Sequence, residues 1–255
     1  MIVPGLSVIM ITKNEEQRIE RCLDSLNWAS EIVVVDSGSS DRTREICGRY
    51  PSVRFYEHPW AGFGPQKNRA LSLATGEWVF SIDADEVVSP ELAAQIAAVL
   101  QRPACDGYRV QRRNYYRGQW IRHSGWWPDP LLRLFRRSQG CFSDRPVHET
   151  VELQGVIGDL AGCLEHYSFS CVSDFIRKAD SYSSLGAELL RTRGVRSSPA
   201  LALLKCAATF FKTLVLKRGF LDGAAGVLIA YSNAAGVFYR YMKCYELQRG
   251  DDGKA

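Results

Sequence analysis

Four strand-length stretches, three of them mainly apolar, recur in the first hundred residues, and between them the apolar positions switch to helical spacing. Leu6 to Ile11, Ile32 to Val35, Val53 to Glu57 and Trp78 to Ile82 have the length and makeup of strands. After the first run, Ile19, Cys22, Leu23 and Leu26 fall on one helical face with charges between them. Thr12-Lys13-Asn14-Glu15 has the spacing of a capping box and predicts a helix start there. Later helices are expected from Arg42 to Tyr50, from Pro65 to Gly76, and from Ser89-Pro90 to Leu100. Strand and helix alternating over short connections imply a parallel sheet with right-handed crossovers. Near-continuous apolar strands fit a sheet covered on both faces.

Ligands in such sheets bind beyond the carboxyl ends of strands. Three polar clusters sit there: Thr12 to Glu15, Asp36 to Asp41, and Asp83 to Glu86. The last, Asp83-Ala84-Asp85-Glu86, ends a buried run in three carboxylates. Mg²⁺ or Mn²⁺ takes one or two protein carboxylates and fills its remaining positions with water and phosphate oxygens. A solvated acidic turn has the same composition, so the three clusters together carry more weight than this one. The first strand is followed neither by Gly-x-Gly-x-x-Gly nor by a P-loop, which disfavours dinucleotide and P-loop chemistry.

Beyond residue 101 the pattern changes to shorter strands and loops, which suggests a mixed sheet. Asn114 to Pro130 is rich in Tyr, Trp, Arg and His. Trp126 and Trp127 suit stacking on sugar rings or service as core aromatics. Arginines that include Arg133 and Arg136 suit a ligand's phosphates or a solvated face. From Val172 the chain reads as helical. A division follows into a domain over residues 1–170 and a helical region over 171–255. The first carries 19 Lys/Arg against 21 Asp/Glu; the second carries 13 against 7. Apolar helix faces flanked by Lys and Arg suit an anionic membrane surface; packing on the enzyme or on a second subunit, giving a homo-oligomer, is the other reading. Gly223 to Tyr239 is uncharged over 17 residues, short of the roughly 20 a spanning helix needs. No nucleic-acid motif accompanies the basic balance, so no nucleic-acid partner is expected. Eight cysteines without a Cys-x-x-Cys read as reduced thiols of a cytoplasmic protein, and the amino terminus does not read as a signal peptide.

The stretches Ser7 to Glu16, Ile32 to Thr43, Gln66 to Leu71 and Asp83 to Glu86 resemble glycosyltransferase family 2, inverting enzymes of the GT-A fold. Gly125 to Asp129, Arg133 to Arg137, Val147 to Glu149 and Arg218 to Gly223 are similar to the glucosyltransferases of lipopolysaccharide core assembly. The resemblance implies an α/β, Rossmann-like, mainly parallel mixed sheet flanked by helices, with a helical appendage. It implies that Thr12, Glu15 and Asp36 contact the donor's base and ribose, with Lys67 near the nucleotide and Asp83 near the ribose. Asp85 and His166 would hold Mg²⁺ or Mn²⁺, although His166 also reads as a core histidine. Glu149 would be the general base, with Asp129 as the alternative; as a strand carboxylate Glu149 equally suits an arginine partner. The implied reaction moves glucose from UDP-glucose to an inner-core lipopolysaccharide or related glycolipid at the inner face of the cytoplasmic membrane. A nucleotidyltransferase of similar topology would need a glycine-rich basic loop after the first strand, which Thr12 to Glu15 lacks. A non-catalytic nucleotide-sugar-binding protein would not need the acidic cluster and a base.

Overall fold

The structure is a computed structural model that describes residues 2–143 and 150–252. By contact the chain divides into two units, residues 1–113 with 129–166, and residues 114–128 with 167–255. The division expected near residue 170 differs from this by the segment 114–128, which groups with the carboxyl-terminal helices.

The first unit is built on a mixed sheet. Strands β1 (Val3–Thr12), β2 (Ala29–Asp36), β3 (Val53–Glu57) and β4 (Trp78–Ser81) pair in parallel in the order β3-β2-β1-β4. The connecting helices are α1 (Ile19–Asp24), α2 (Thr43–Cys47) and α3 (Phe63–Leu73). Strand order reverses between β1 and β4, so a crevice opens beyond their carboxyl ends. The short β5 (Glu86–Val88) and α4 (Pro90–Gln101) follow, and the Ser89 hydroxyl caps α4 by accepting from the Leu92 amide at 3.2 Å. The later strands are β6 (Gly107–Tyr116), β7 (Gln119–Trp120), β8 (Pro130–Arg136), β9 (Gly140–Phe142), β10 (Val151–Leu153) and β11 (Ile157–Phe169). They extend the sheet as β4-β8-β6-β11-β5, with β8 antiparallel to β4 and β11 antiparallel to β5; β9 and β10 form a separate ribbon.

Alternation along the strands explains why the apolar runs are continuous. Val8, Met10, Ile32, Val34 and Phe80 pack on one face with Leu23, Ile46, Leu92 and Ile96 from α1, α2 and α4. Ile9, Val33, Val35 and Val79 pack on the other with Ala70 and Leu71 from α3. Gly76 fits where β4 begins because a Cβ there would lie 2.7 Å from the Gly5 carbonyl oxygen.

One local expectation is corrected. Thr12 does not cap a helix, because β1 runs through it and α1 starts at Ile19 with no side-chain cap. Its hydroxyl donates to Asp36 at 2.8 Å instead.

In the second unit, α5 (Val172–Thr192), α6 (Pro199–Phe211) and α7 (Gly223–Asp252) are the long helices. A π-helical turn, Lys212–Leu216, prolongs α6, and a 3-10 turn, Gly219–Asp222, leads into α7. The uncharged stretch from Gly223 is thus the first part of a 30-residue helix. Ile121, Phe175, Ala225 and Ile229 form the core, with Trp126 and Phe169 against them.

Candidate functional site

The acidic stretch is a tight turn between β4 and β5. The Glu86 amide donates to the Asp83 carbonyl at 3.0 Å, and the Asp83 amide donates to the Glu86 carboxylate at 3.0 Å. Glu86 is fully buried and accepts from Arg133 at 2.6 Å and from Arg112 at 3.3 Å. Asp83 accepts from Lys67 at 3.1 Å and from the same Arg133 Nη2 at 2.8 Å. Arg112 Nε reaches Asp129 at 2.8 Å. Charges therefore alternate along Lys67, Asp83, Arg133, Glu86, Arg112 and Asp129. Burial alone would raise the Asp83 carboxyl, but the Arg133 and Lys67 charges outweigh it and hold it well below the usual carboxylate range. Burial would lower the Arg133 guanidinium, and Asp83 with Glu86 reverses that, raising it.

Asp85 stands apart from this chain and faces His166, with 3.3 Å between Oδ2 and Nε2. Register explains the meeting, since β11 pairs with β5 so that His166 lies opposite Glu86, one residue from Asp85. No group of three or more His, Cys, Asp or Glu forms a metal cluster among the described residues. A carboxylate and an imidazole this close fit a divalent cation whose other positions are taken by water and phosphate.

The loops after β1 and β2 lock together. Asp36 is buried and accepts from the Thr12 hydroxyl, the Gly38 and Ser39 amides and the Ser39 hydroxyl. Those four bonds fill a carboxylate's acceptor sites, so in this arrangement Asp36 acts by shaping the loop. Asn14, at φ 56°, receives the Ser40 amide at 2.9 Å and donates its own amide to Ser39. The Glu15 amide donates to Thr43, and its carboxylate lies 3.4 Å from Arg18.

Arg133 and Arg136, both expected at a ligand's phosphates, are engaged in ion pairs within the first unit. Arg133 is buried beneath the acidic turn, its guanidinium taken up by Asp83 and Glu86. Arg136 lies at the opposite end of the sheet, because β8 runs antiparallel to β4 and sets Arg136 beside Trp78. It pairs there with Glu77 and Asp106 and covers the Trp78 ring at 4.7 Å. Trp126 and Trp127 belong to the second unit. Trp126 stacks on Phe175 and meets Phe169 at a tilt in that core, and Trp127 meets Trp120 edge-on at 5.3 Å. Glu149 lies outside the described residues. The fold thus brings together Lys67, Asp83, Asp85, Asp129, Arg133 and His166.

Three residues from the stretches that carry the resemblance have structural roles that the sequence did not assign. Gln66 is buried and donates to the Ser37 hydroxyl and the His58 carbonyl, both at 3.1 Å, so α3 holds the loop after β2. Asn68 exchanges two 2.8 Å bonds with the Phe142 backbone and fixes β9. Asp222 accepts from the Arg122 and His123 amides at 3.1 Å and the Ser124 hydroxyl at 3.0 Å. The available signal was their place in those stretches, Gln66 and Asn68 beside Lys67 and Asp222 in Arg218 to Gly223.

Residues 7–163 match glycosyl transferase family 2. The chain is 31% identical to the lipopolysaccharide core biosynthesis glycosyltransferase LpsC of Rhizobium meliloti (strain 1021), over 92% of this chain and 93% of that protein. It is 30% identical to an uncharacterized glycosyltransferase of Rickettsia typhi, over 95% of this chain and 87% of that one. Among solved structures it is similar to S. aureus TarS 1-349 in complex with UDP-GlcNAc, with a TM-score of 0.53, 17% identity, and coverage of 96% of this chain and 92% of that one. That likeness shows the fold, a mixed α/β sheet flanked by helices as in GT-A glycosyltransferases.

Proposed function

The chain belongs to glycosyl transferase family 2 and is a glycosyltransferase, and from that premise we propose that it transfers glucose from UDP-glucose to an inner-core lipopolysaccharide or related glycolipid. The similarity to LpsC along nearly the whole chain supports the acceptor class. Such an acceptor puts the enzyme in the cytoplasm, at the inner face of the cytoplasmic membrane. One observation carries the chemistry: Asp85 and His166 meet at 3.3 Å beyond the switch point of the sheet, next to Asp83, Lys67 and Arg133.

In this reading the loop braced by Asp36, with Thr12 and Glu15, receives the base and ribose. Asp83, kept ionised by its two cations, accepts from the ribose hydroxyls. Lys67 lies within reach of the nucleotide. Asp85 and His166 would hold Mg²⁺ or Mn²⁺, which when bound supplies positive charge to the leaving diphosphate. Transfer is one in-line displacement. The acceptor oxygen bonds to the anomeric carbon, the bond to UDP breaks, and the configuration inverts. Glu149 takes the acceptor's proton, with Asp129 the alternative. Asp129 is already engaged by Arg112, which favours Glu149.

The test is UDP release from a panel of UDP-hexoses with Mn²⁺ or Mg²⁺ and purified core glycolipid. The expected result is turnover with UDP-glucose and a product of inverted configuration. Turnover with another sugar replaces the donor assignment; absence of turnover with every nucleotide sugar rejects the reading.

A further inference from the structure

Helix α6 buries only one narrow side. Ala202 and Thr213 are buried, Cys206 and Thr209 half-buried, and these four positions fall on one helical stripe. The Ser198 hydroxyl caps the helix by accepting from the Leu201 amide at 3.2 Å, with Pro199 in its first turn. Away from that stripe the helix is apolar and bare. Leu203, Leu204, Phe211 and Val215 are 61%, 65%, 56% and 42% exposed. The bare surface continues into the next turn, where Phe220 and Leu221 are each 55% exposed. A contiguous apolar surface of this kind marks an interaction face.

The charges around it share one sign. Lys205, Lys212, Lys217 and Arg218 are exposed, and no acidic residue occurs from Pro199 to Arg218. We propose that α6 and the turn after it lie in the plane of an anionic lipid bilayer, the apolar arc among the acyl chains and the four cations at the lipid phosphates. The proposal deepens the membrane-side reading above and rests on it only for which bilayer is met. Pro199–Leu216 is apolar and long enough to be weighed as a span, but it is 18 residues long and carries Lys205 and Lys212 within it, where a crossing helix would place them in hydrocarbon. A second copy meeting this face about a two-fold axis would bring the same cations against each other at the edge of a dry contact. Anionic phosphates match both the sign and the flanking position of the charges.

The experiment is co-sedimentation of the full chain with vesicles of phosphatidylcholine alone or with one quarter phosphatidylglycerol. Binding is expected to the anionic vesicles and to fall as salt rises. Lys205→Gln with Lys212→Gln should weaken it about thirtyfold, from roughly fivefold per lost cation. Leu204→Ser with Phe211→Ser should abolish it with unchanged circular dichroism, since both side chains are exposed. Equal binding by wild type and both variants overturns the proposal. So does a wild type that ignores anionic vesicles while the Leu204→Ser, Phe211→Ser pair turns a dimer into a monomer in sedimentation velocity. Resistance of the membrane-bound protein to alkaline carbonate also overturns it, in favour of a span. UDP release, measured in parallel without vesicles, reports the transfer chemistry separately, so either reading can fail alone.

Discussion

Arg133 Nη2 lies 2.6 Å from Glu86 Oε1, and the pair is almost wholly enclosed, with side-chain exposures of 7% and 0%. The same nitrogen also reaches Asp83 at 2.8 Å, so one guanidinium joins the structural carboxylate under the turn to the carboxylate at its surface.

Removing Arg133 leaves the enclosed Glu86 with only the longer contact to Arg112, at 3.3 Å, and Asp83 with Lys67. Arg133→Met should destabilise the first unit by about 3–5 kcal/mol, read by urea denaturation. Arg133→Lys should rescue only part of the loss, because an ammonium lacks the planar fork that serves two carboxylates. A loss within 1 kcal/mol of zero for Arg133→Met would show that the joint contributes little.

The pH dependence follows from Asp83. Its folded-state carboxyl is held well below the usual value, so the stability it contributes is present above the unfolded value near pH 4 and is lost as pH falls through the depressed one. Denaturation midpoints of the wild type should therefore hold from pH 7 to about pH 5 and then fall. Asp83→Asn should be less stable at pH 7 and show a shallower fall in acid.

The paired donors of the proposed cation site should act together. Asp85→Asn and His166→Ala should each lower kcat/KM about 100-fold or more and raise the Mn²⁺ concentration needed for half-maximal rate. Calorimetry of UDP binding with and without Mn²⁺ should show the cation's enhancement lost in both variants. Enhancement retained in both would move the cation elsewhere.

Glu149 and Asp129 separate by substitution. Glu149→Gln should lower kcat by roughly 10²–10⁴ with little change in donor KM, the range expected for loss of a general base. Asp129→Asn should lower it less and should also cost stability, since Arg112 loses a partner at 2.8 Å. The reverse pattern would assign the proton to Asp129.

In the second unit, Asp222→Ala leaves the Arg122 and His123 amides and the Ser124 hydroxyl without their acceptor. A cost of about 2–4 kcal/mol is expected, with limited proteolysis opening first between residues 117 and 128. An unchanged cleavage pattern would mean that the loop is held by its aromatic contacts alone.

The parallel half of the fold was legible because β1, β2 and β4 are buried on both faces, so their apolar runs are nearly unbroken, and because polar residues gather at the ends that line the crevice. The pairing of Asp85 with His166 was partly legible through resemblance; its geometry depends on β11 lying antiparallel to β5, a contact 81 residues apart in sequence that no local period records. Arg133 and Arg136 looked alike as two cations on one strand. Only the direction of β8 separates them, sending one beneath the acidic turn and the other to the far end of the sheet. Thr12 misled for a related reason: its spacing to Glu15 fits a helix cap, but Asp36 on the neighbouring strand is a better acceptor and lies directly opposite. Asp222 lies in a stretch that carried the resemblance, but its role was not legible because its partners are about a hundred residues earlier in the chain.

The run from Lys67 through Asp83, Arg133, Glu86 and Arg112 to Asp129 contains as many cations as anions. A sugar nucleotide brings two negative charges on its diphosphate, and a divalent cation carries the opposite two. Loaded together they leave the local charge as it stood, whereas either alone shifts it by two. If both bind here as proposed, each should raise the other's affinity, and the expected signature is a pair of titrations in which neither reaches full strength without its companion.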